Sequence, residues 1–231
     1  MTSSKKDRRI KVMKDGPYIV EGDVPLDQEN IVIGGDGEPS GWEKGPSIPH
    51  GETYSLCRCG ASQTKPFCDG THFTEGFDGT ETAGRGSYLG QAEKTCGPGL
   101  DLTMNPDLCA AARFCHRGEE AWGYTERSDD PEARETAIEE ACACPSGSLV
   151  AWDKKTGRPI EPEFEPSISL VENPNDGTSG PVWVKGRIPI ESADGQEYET
   201  RNRVTLCRCG KSENKPFCDG THVSIRFRSD T

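Results

Sequence analysis

Cys57, Cys59, Cys68 and His72 follow one another as C-x-C-x8-C-x3-H, and Cys207, Cys209, Cys218 and His222 repeat that spacing 150 residues later. From Cys57 to His72 and from Cys207 to His222, thirteen of sixteen positions are identical, so one chemistry has been kept twice. Three thiolates and an imidazole make a complete four-donor set for a soft or borderline metal. Cysteines that straddle one residue sit close together on an extended segment. Residues four apart, such as Cys68 and His72, share one face of a helical turn. Pro66 suits the start of that turn, and Asp69 suits its positive N-terminal end. Gly60 and Ser62 lie in the loop that must bring the two pairs together. One reading is a Cys3His zinc site that serves folding. The tight C-x-C spacing weighs against it, because zinc knuckles usually space their paired cysteines by two to four residues.

The two stretches closely resemble the CDGSH iron–sulfur family, the mitoNEET-type proteins, with Thr71 and Thr221 where the family name has Ser. The resemblance implies a [2Fe–2S] cluster on Cys57, Cys59, Cys68 and His72 and a second on Cys207, Cys209, Cys218 and His222. It implies two cysteines on one iron and a cysteine plus the histidine on the other. Imidazole in place of thiolate removes negative charge and raises the potential. A ring nitrogen not on iron can take a proton and couple redox state or cluster retention to pH. Lys65 and Lys215 either add positive potential beside the clusters or are simply solvated. Asp69 and Asp219 read as caps or acceptors rather than ligands. Family members with one motif pair across a two-fold axis beneath a small β-cap. A chain with two motifs can build that pair internally, as a monomer.

Five cysteines remain: Cys96, Cys109, Cys115, Cys142 and Cys144. Cys109-x5-Cys115, a helical segment and then Cys144-Pro145-Ser146-Gly147 resemble a divergent single-cluster ferredoxin-like domain. The middle cysteine of the usual C-x2-C-x2-C run falls at Ala112. That leaves three ligands, which implies [3Fe–4S]; a [4Fe–4S] cluster needs Cys96 or Cys142 as a fourth. The competing reading is a ferredoxin-like fold whose buried cysteines only pack. His50 and His116 read as surface or hydrogen-bonding histidines.

The elements that must position these residues are also repeated. Gly16-Pro17-Tyr18-Ile19-Val20 to Pro25-Leu26 matches Gly180-Pro181-Val182-Trp183-Val184 to Pro189-Ile190, with glycines and prolines in register. Short strands are expected at Ile10–Met13, Tyr18–Val20, Ile168–Val171 and Val182–Val184. Thr53–Leu56 and Arg203–Leu206 read as strands that deliver each first cysteine. A long glycine-rich loop is expected from Gly34 to Gly51, and a shorter charged one from Glu191 to Arg203. Between the repeats, Asn105 caps Pro106, a helix runs from Ser128 to Cys142, and Ser148–Trp152 is a strand. Residues 1–9 are expected to fray. The fold class expected is α+β: a CDGSH-type repeat at 10–82, a ferredoxin-like single-cluster domain at 85–160, and a second repeat at 165–228. The two repeats are expected to pair with pseudo-two-fold symmetry.

Composition narrows the function. The chain has 231 residues, 27 glycines, 17 prolines and no long apolar run, so a small turn-rich core helped by metal centres is expected. A net charge of −12 argues against nucleic acid as a partner. No signal peptide or membrane-length apolar run is read, which leads to the expectation of a soluble, cytoplasmic protein with reduced thiols. No nucleophile triad, phosphate loop or nicotinamide fingerprint is present, so an electron carrier rather than an enzyme is expected. The expected function is electron transfer to or from a redox partner protein. The alternatives are cluster storage and donation to an apo iron–sulfur acceptor, redox or pH sensing, or structural zinc.

Overall fold

The computed structural model describes residues 7–229. The expected fraying of residues 1–9 falls largely on residues outside that range. Its last two positions do not fray: Arg8 donates to Pro166 O, and Arg9 begins the first strand.

The first repeat supplies β1 (Arg9–Val12), β2 (Tyr18–Glu21), β3 (Leu26–Ile33), β4 (Pro39–Ser47), β5 (Tyr54–Leu56) and the short helix α1 (Thr71–Thr74). The middle of the chain supplies α2 (Tyr88–Gln91), β6 (Glu93–Cys96), β7 (Leu100–Met104), α3 (Glu120–Glu126), α4 (Pro131–Ala143), β8 (Leu149–Asp153) and β9 (Pro159–Ile160). The last part supplies β10 (Ser167–Asn173), β11 (Thr178–Lys185), β12 (Ile190–Glu191), β13 (Arg203–Leu206) and α5 (Thr221–Ser224). Single 3₁₀ turns lie at Pro106–Leu108 and Phe114–His116.

Three sheets result, in the orders β12-β1-β2-β5, β13-β11-β10-β3-β4 and β6-β7-β8-β9. The first two exchange strands between the repeats. β1 runs parallel to β12, with Ile10 opposite Ile190, and β10 runs parallel to β3, with Ile168 opposite Leu26. The bonds that fix this exchange match: Ile10 N donates to Pro189 O and Ile168 N to Pro25 O, both at 2.9 Å. Neither repeat closes its own sheet, so neither cap is completed without the other.

The common core lies between these two sheets. Ile10, Tyr18, Val20, Leu26, Leu56, Ile168, Val184 and Leu206 are buried there. Each large side chain removed from water contributes about 1.5–3 kcal/mol. β1 and β2 bury alternate residues because only one of their faces is covered. β11 is buried along its whole length, because its second face carries Trp183 against Phe114 of the inserted unit and Trp42 of β4.

The expected Gly34–Gly51 loop is wrong in part. Pro39–Ser47 is an edge strand paired with β3. An edge strand tolerates Pro, Gly and charge, so it lacks the alternating apolar pattern that marks a strand in sequence. The central helix begins at Pro131 rather than Ser128, because the Asp130 carboxylate accepts from Glu132 N and Ala133 N and sets the first turn there. Asn105 does accept from Asp107 N, but the turn it starts is only one 3₁₀ turn.

Candidate metal centres

Each Cys-x-Cys leaves the end of a strand. β5 ends at Leu56, which bridges to Phe67, and the backbone closes with Cys57 N to Pro66 O at 2.8 Å and Cys68 N to Ser55 O at 2.9 Å. The second copy repeats this with Cys207 N to Pro216 O and Cys218 N to Thr205 O. Ser62 and Ser212 are buried, and each hydroxyl donates to the carbonyl of the following phenylalanine, Phe67 or Phe217, at 2.7 Å. The loop is thereby folded back until the third cysteine faces the first two.

The donors fall into pairs. Cys57 and Cys59 sulfurs are 3.7 Å apart, and those of Cys207 and Cys209 are 3.8 Å apart. Cys68 Sγ lies 3.3 Å from His72 Nδ1, and Cys218 Sγ lies 3.3 Å from His222 Nδ1. Two thiolates bound at about 2.3 Å to one tetrahedral metal must be about 3.8 Å apart. The cysteine pairs already have that spacing. Among the described residues, no three His, Cys, Asp or Glu side chains gather as a set for a single metal ion.

Cys68 and Cys218 precede α1 and α5 and do not sit on them as a helical turn would require. Pro66 and Pro216 follow cis peptide bonds in the loop rather than starting a helix. Asp69 accepts from Gln63 N at 2.7 Å and Thr71 N at 2.9 Å, and Asp219 accepts from Glu213 N and Thr221 N. Those bonds hold its carboxyl, like that of Asp219, below the usual carboxylate range. They fix the turn that carries the histidine.

The sites are built for negative sulfur. The Cys57 thiol is lowered to about 6, first by the hydrogen bond from Cys59 and then, against burial, by the N–H groups of Ser62, Gly60 and Cys59. Cys207 is lowered to about 6 in the same way, by Cys209 first, with help from Ser212, Gly210 and the charge of Lys215. Cys59 and Cys209 are raised by the proton they share and by burial. A second ionisation at each pair therefore needs a cation. N–H groups aimed at sulfur also stabilise added electron density on a cluster. Burial, and then the charge of Arg208, lowers His222 to about 4, which keeps its imidazole neutral and able to ligate.

Lys215 Nζ donates to Ser212 O, within the second loop. Lys65 is half-buried in the equivalent place. Two arginines carry more of the architecture. Arg58 and Arg208, the middle residues of each Cys-x-Cys, are 1% and 3% exposed. Arg58 donates to Gly79 O and Met13 O. Arg208 donates to Gly180 O, Val171 O and the Glu172 carboxylate. Their identity in both copies was the signal, since an idle surface residue between two ligands would be free to differ.

The two sites abut through their glycines. A β-carbon on Gly60 would lie 2.7 Å from Cys209 O, and one on Gly210 would lie 2.3 Å from Cys59 O. Both glycines have positive φ. Tyr18, from the first repeat, places its buried hydroxyl 2.9 Å from Cys207 O and 3.0 Å from Pro216 O of the second.

Three of the five middle cysteines line one small cavity: Cys109, Cys115 and Cys144, with Ala112 and Ser146. Burial pushes the Cys109 thiol up and Cys115 to about 12, and the charge of Cys144 raises both further. Two buried thiols that resist ionisation, with a third lining the same cavity, suit a site that a cation must neutralise. Ala111 and Arg113 take left-handed backbone, at φ 54° and 63°, which strains a short loop and keeps it curled around the cavity. Arg203, fully buried, donates to Cys144 O, Ala141 O, Leu149 O and the Glu161 carboxylate. Cys96 and Cys142 do not line this cavity. Cys96 is exposed at the end of β6, and the Cys142 thiol points to Ile160 O at 3.6 Å. His116 is exposed and pairs with Glu120, and His50 hydrogen-bonds Gly51 O.

The middle site touches the second motif. A β-carbon on Gly220 would lie 2.8 Å from the Ala111 methyl and 3.6 Å from Cys109 O. Asn214 Nδ2 donates to Asp107 O at 2.6 Å.

Among the described residues, no helix is long and apolar enough to cross a membrane. No match was found among curated proteins or among solved structures. The family described as "Iron-binding zinc finger CDGSH type" matches residues 15–73 and 179–223, and the "Divergent 4Fe-4S mono-cluster" family matches residues 96–154. The chain therefore carries two CDGSH-type iron-binding regions and, between them, a divergent 4Fe-4S mono-cluster domain.

Proposed function

We propose that the chain is an electron-transfer protein with three iron–sulfur centres in a row. The observation that carries this is adjacency: the first motif touches the second through Gly60 and Gly210, and the second touches the middle site through Gly220 and Ala111. Cys57, Cys59, Cys68 and His72 would hold one [2Fe–2S] cluster, and Cys207, Cys209, Cys218 and His222 the other. Donors that fall into two pairs, rather than one converging set, favour a two-iron centre over a single zinc ion.

Cys109, Cys115 and Cys144 would hold the third. Ala112, where the usual cysteine run would place its middle ligand, lines that cavity with no donor to offer, which favours [3Fe–4S]. A cluster, when bound, supplies reversible one-electron chemistry. The chain's own residues bind it, bury it and set its potential. The imidazoles leave less negative charge than thiolates would, and the N–H groups at sulfur act in the same direction.

In this reading the units are 10–82, 85–160 and 165–228. The outer two are paired about a pseudo-two-fold axis. The reciprocal exchange of β1 onto β12 and β10 onto β3 supports that pairing. The partner would be a redox protein or an apo iron–sulfur acceptor. Cluster donation is the second reading, and the incomplete burial of Cys59 and Cys68 favours it for the first site.

Reversible reduction of the purified protein, compared with colour transfer to an apo-ferredoxin, separates the two. A relay keeps all its iron through repeated reduction. Loss of both His-ligated clusters to the acceptor, faster than reduction, would overturn it.

A further inference from the structure

The three positions at which the motifs differ are Ala61/Lys211, Gln63/Glu213 and Thr64/Asn214. At one of these the differing side chain itself holds the second motif against another part of the chain, and backbone carbonyls of the same loop add further contacts. Asn214 reaches Asp107 O of the inserted unit, whereas the bonds of Thr64 stay within its own loop, to Ser62 and Phe67. Glu213 O accepts from the Thr82 hydroxyl, and Lys215 O accepts from Thr82 N and Ala83 N. No comparable bond from the inserted unit reaches the first motif among those described.

The rest of the surroundings is just as unequal. Cys57 and His72 are buried like Cys207 and His222, but Cys59 and Cys68 are only partly buried where Cys209 and Cys218 are fully so. Tyr18 locks Cys207 O and Pro216 O, and its counterpart in the second repeat is Val182, which has no hydroxyl to return. Gly220 is pressed against Ala111, whereas its counterpart Gly70 faces open space. Phe73, after His72, is 81% exposed, and Val223, after His222, is 43% exposed.

We propose that the two Cys3His sites have divided roles: the first is an open site that exchanges with the outside, and the second is a sealed site between it and the middle cysteines. This rests on reading both as cluster sites, and it adds which of them meets the partner. Electrons or a whole cluster would enter and leave at Cys57, Cys59, Cys68 and His72. If a cluster leaves there, it does so by ligand exchange, in which the acceptor's four donors replace three thiolates and one imidazole with no change of oxidation state. The second site would hold its cluster while the first turns over.

The test uses the loaded full chain challenged with EDTA. Pulsed electron paramagnetic resonance after reduction reads the histidine-nitrogen coupling, which only the two motif sites can give. The wild-type signal should fall in two equal phases, with rates at least about tenfold apart. In His72→Cys the remaining nitrogen signal belongs to the second site and should persist. In His222→Cys it belongs to the first and should fall at the fast rate. Asn214→Thr gives the second motif the first motif's residue, and should speed the slow phase several-fold while leaving the fast phase unchanged.

A single phase in the wild type overturns the division, as does faster loss from His72→Cys than from His222→Cys. If a variant does not load, the wild-type phases and Asn214→Thr still decide. A chain with iron clusters but equal rates loses only this inference, whereas a chain with no iron–sulfur cluster loses the reading beneath it.

Discussion

Gly60 and Cys209 are in backbone contact: a β-carbon on Gly60 would sit 2.7 Å from the Cys209 carbonyl oxygen. Gly70 has a similar positive φ, 90° against 79°, but nothing lies within 4 Å of its missing β-carbon. The pair therefore separates backbone strain from close approach. Gly70→Ala should cost only the left-handed penalty of about 1–2 kcal/mol. Gly60→Ala adds a clash with the other motif and should cost more than about 3 kcal/mol, with clusters lost from both sites. Guanidinium unfolding and iron content measure the two. Equal effects would mean that the glycine contact does not join the sites.

Arg203 is predicted to hold the middle site in place. It binds three carbonyls, including that of Cys144, and the Glu161 carboxylate, all from a buried position at the start of β13. Arg203→Met leaves those acceptors unpaired, at a cost of about 3–5 kcal/mol. The oxidised-state paramagnetic signal of the third centre should vanish while the nitrogen-coupled signals of the motif sites remain. Retention of the third centre at full occupancy would show that Cys144 is positioned without it.

Glu140 is predicted to make stability depend on pH. It is buried on α4 with Arg117 Nε 3.5 Å away, and burial raises it to about 7. Its folded value lies above its unfolded one, so the protonated form is favoured by folding. That contribution is full below about pH 4.5 and fades as pH rises through about 7. Glu140→Gln keeps the neutral form at all pH values. It should stabilise the chain by about 1–3 kcal/mol at pH 8 and by nearly nothing at pH 4.5. Unfolding midpoints at the two pH values check this, and a gain that is larger at pH 4.5 would reverse the sign.

Replacing His72 by Cys puts a fourth thiolate on the first site. The added negative charge should lower that site's potential by on the order of 100 mV. His222→Cys should do the same at the second site and leave the first unchanged. Redox titration followed by visible absorption resolves the two. An unaltered potential in both would mean that the histidines do not ligate.

Much of the site could be read from the sequence because its donors are local. The spacing of Cys57, Cys59, Cys68 and His72 carries its own geometry, and the repeat of Gly16-Pro17 at Gly180-Pro181 marks the larger unit. The strands around Tyr18, Val182 and Val204 have a strong apolar pattern and lie where expected. The rest depended on partners far along the chain. Nothing local in Ile10 says that it pairs with Ile190, or that Ile168 pairs with Leu26. β4 carries too much Gly, Pro and charge to look like a strand, because only one of its edges is bonded. Arg203 looks like a surface residue until the carbonyls that surround it are known, and Arg58 and Arg208 carry no signal beyond their identity in the two copies. Cys142 is read from the sequence as a possible fourth ligand beside Cys144, yet the chain turns at the end of α4, and of the two only Cys144 lines the cavity.

The most direct measurement is the metal and sulfide content of the anaerobically purified chain, together with its visible spectrum. The account predicts a red-brown protein with about seven or eight iron atoms, a matching amount of acid-labile sulfide, and reversible bleaching on reduction. A colourless protein with stoichiometric zinc and no sulfide would contradict it.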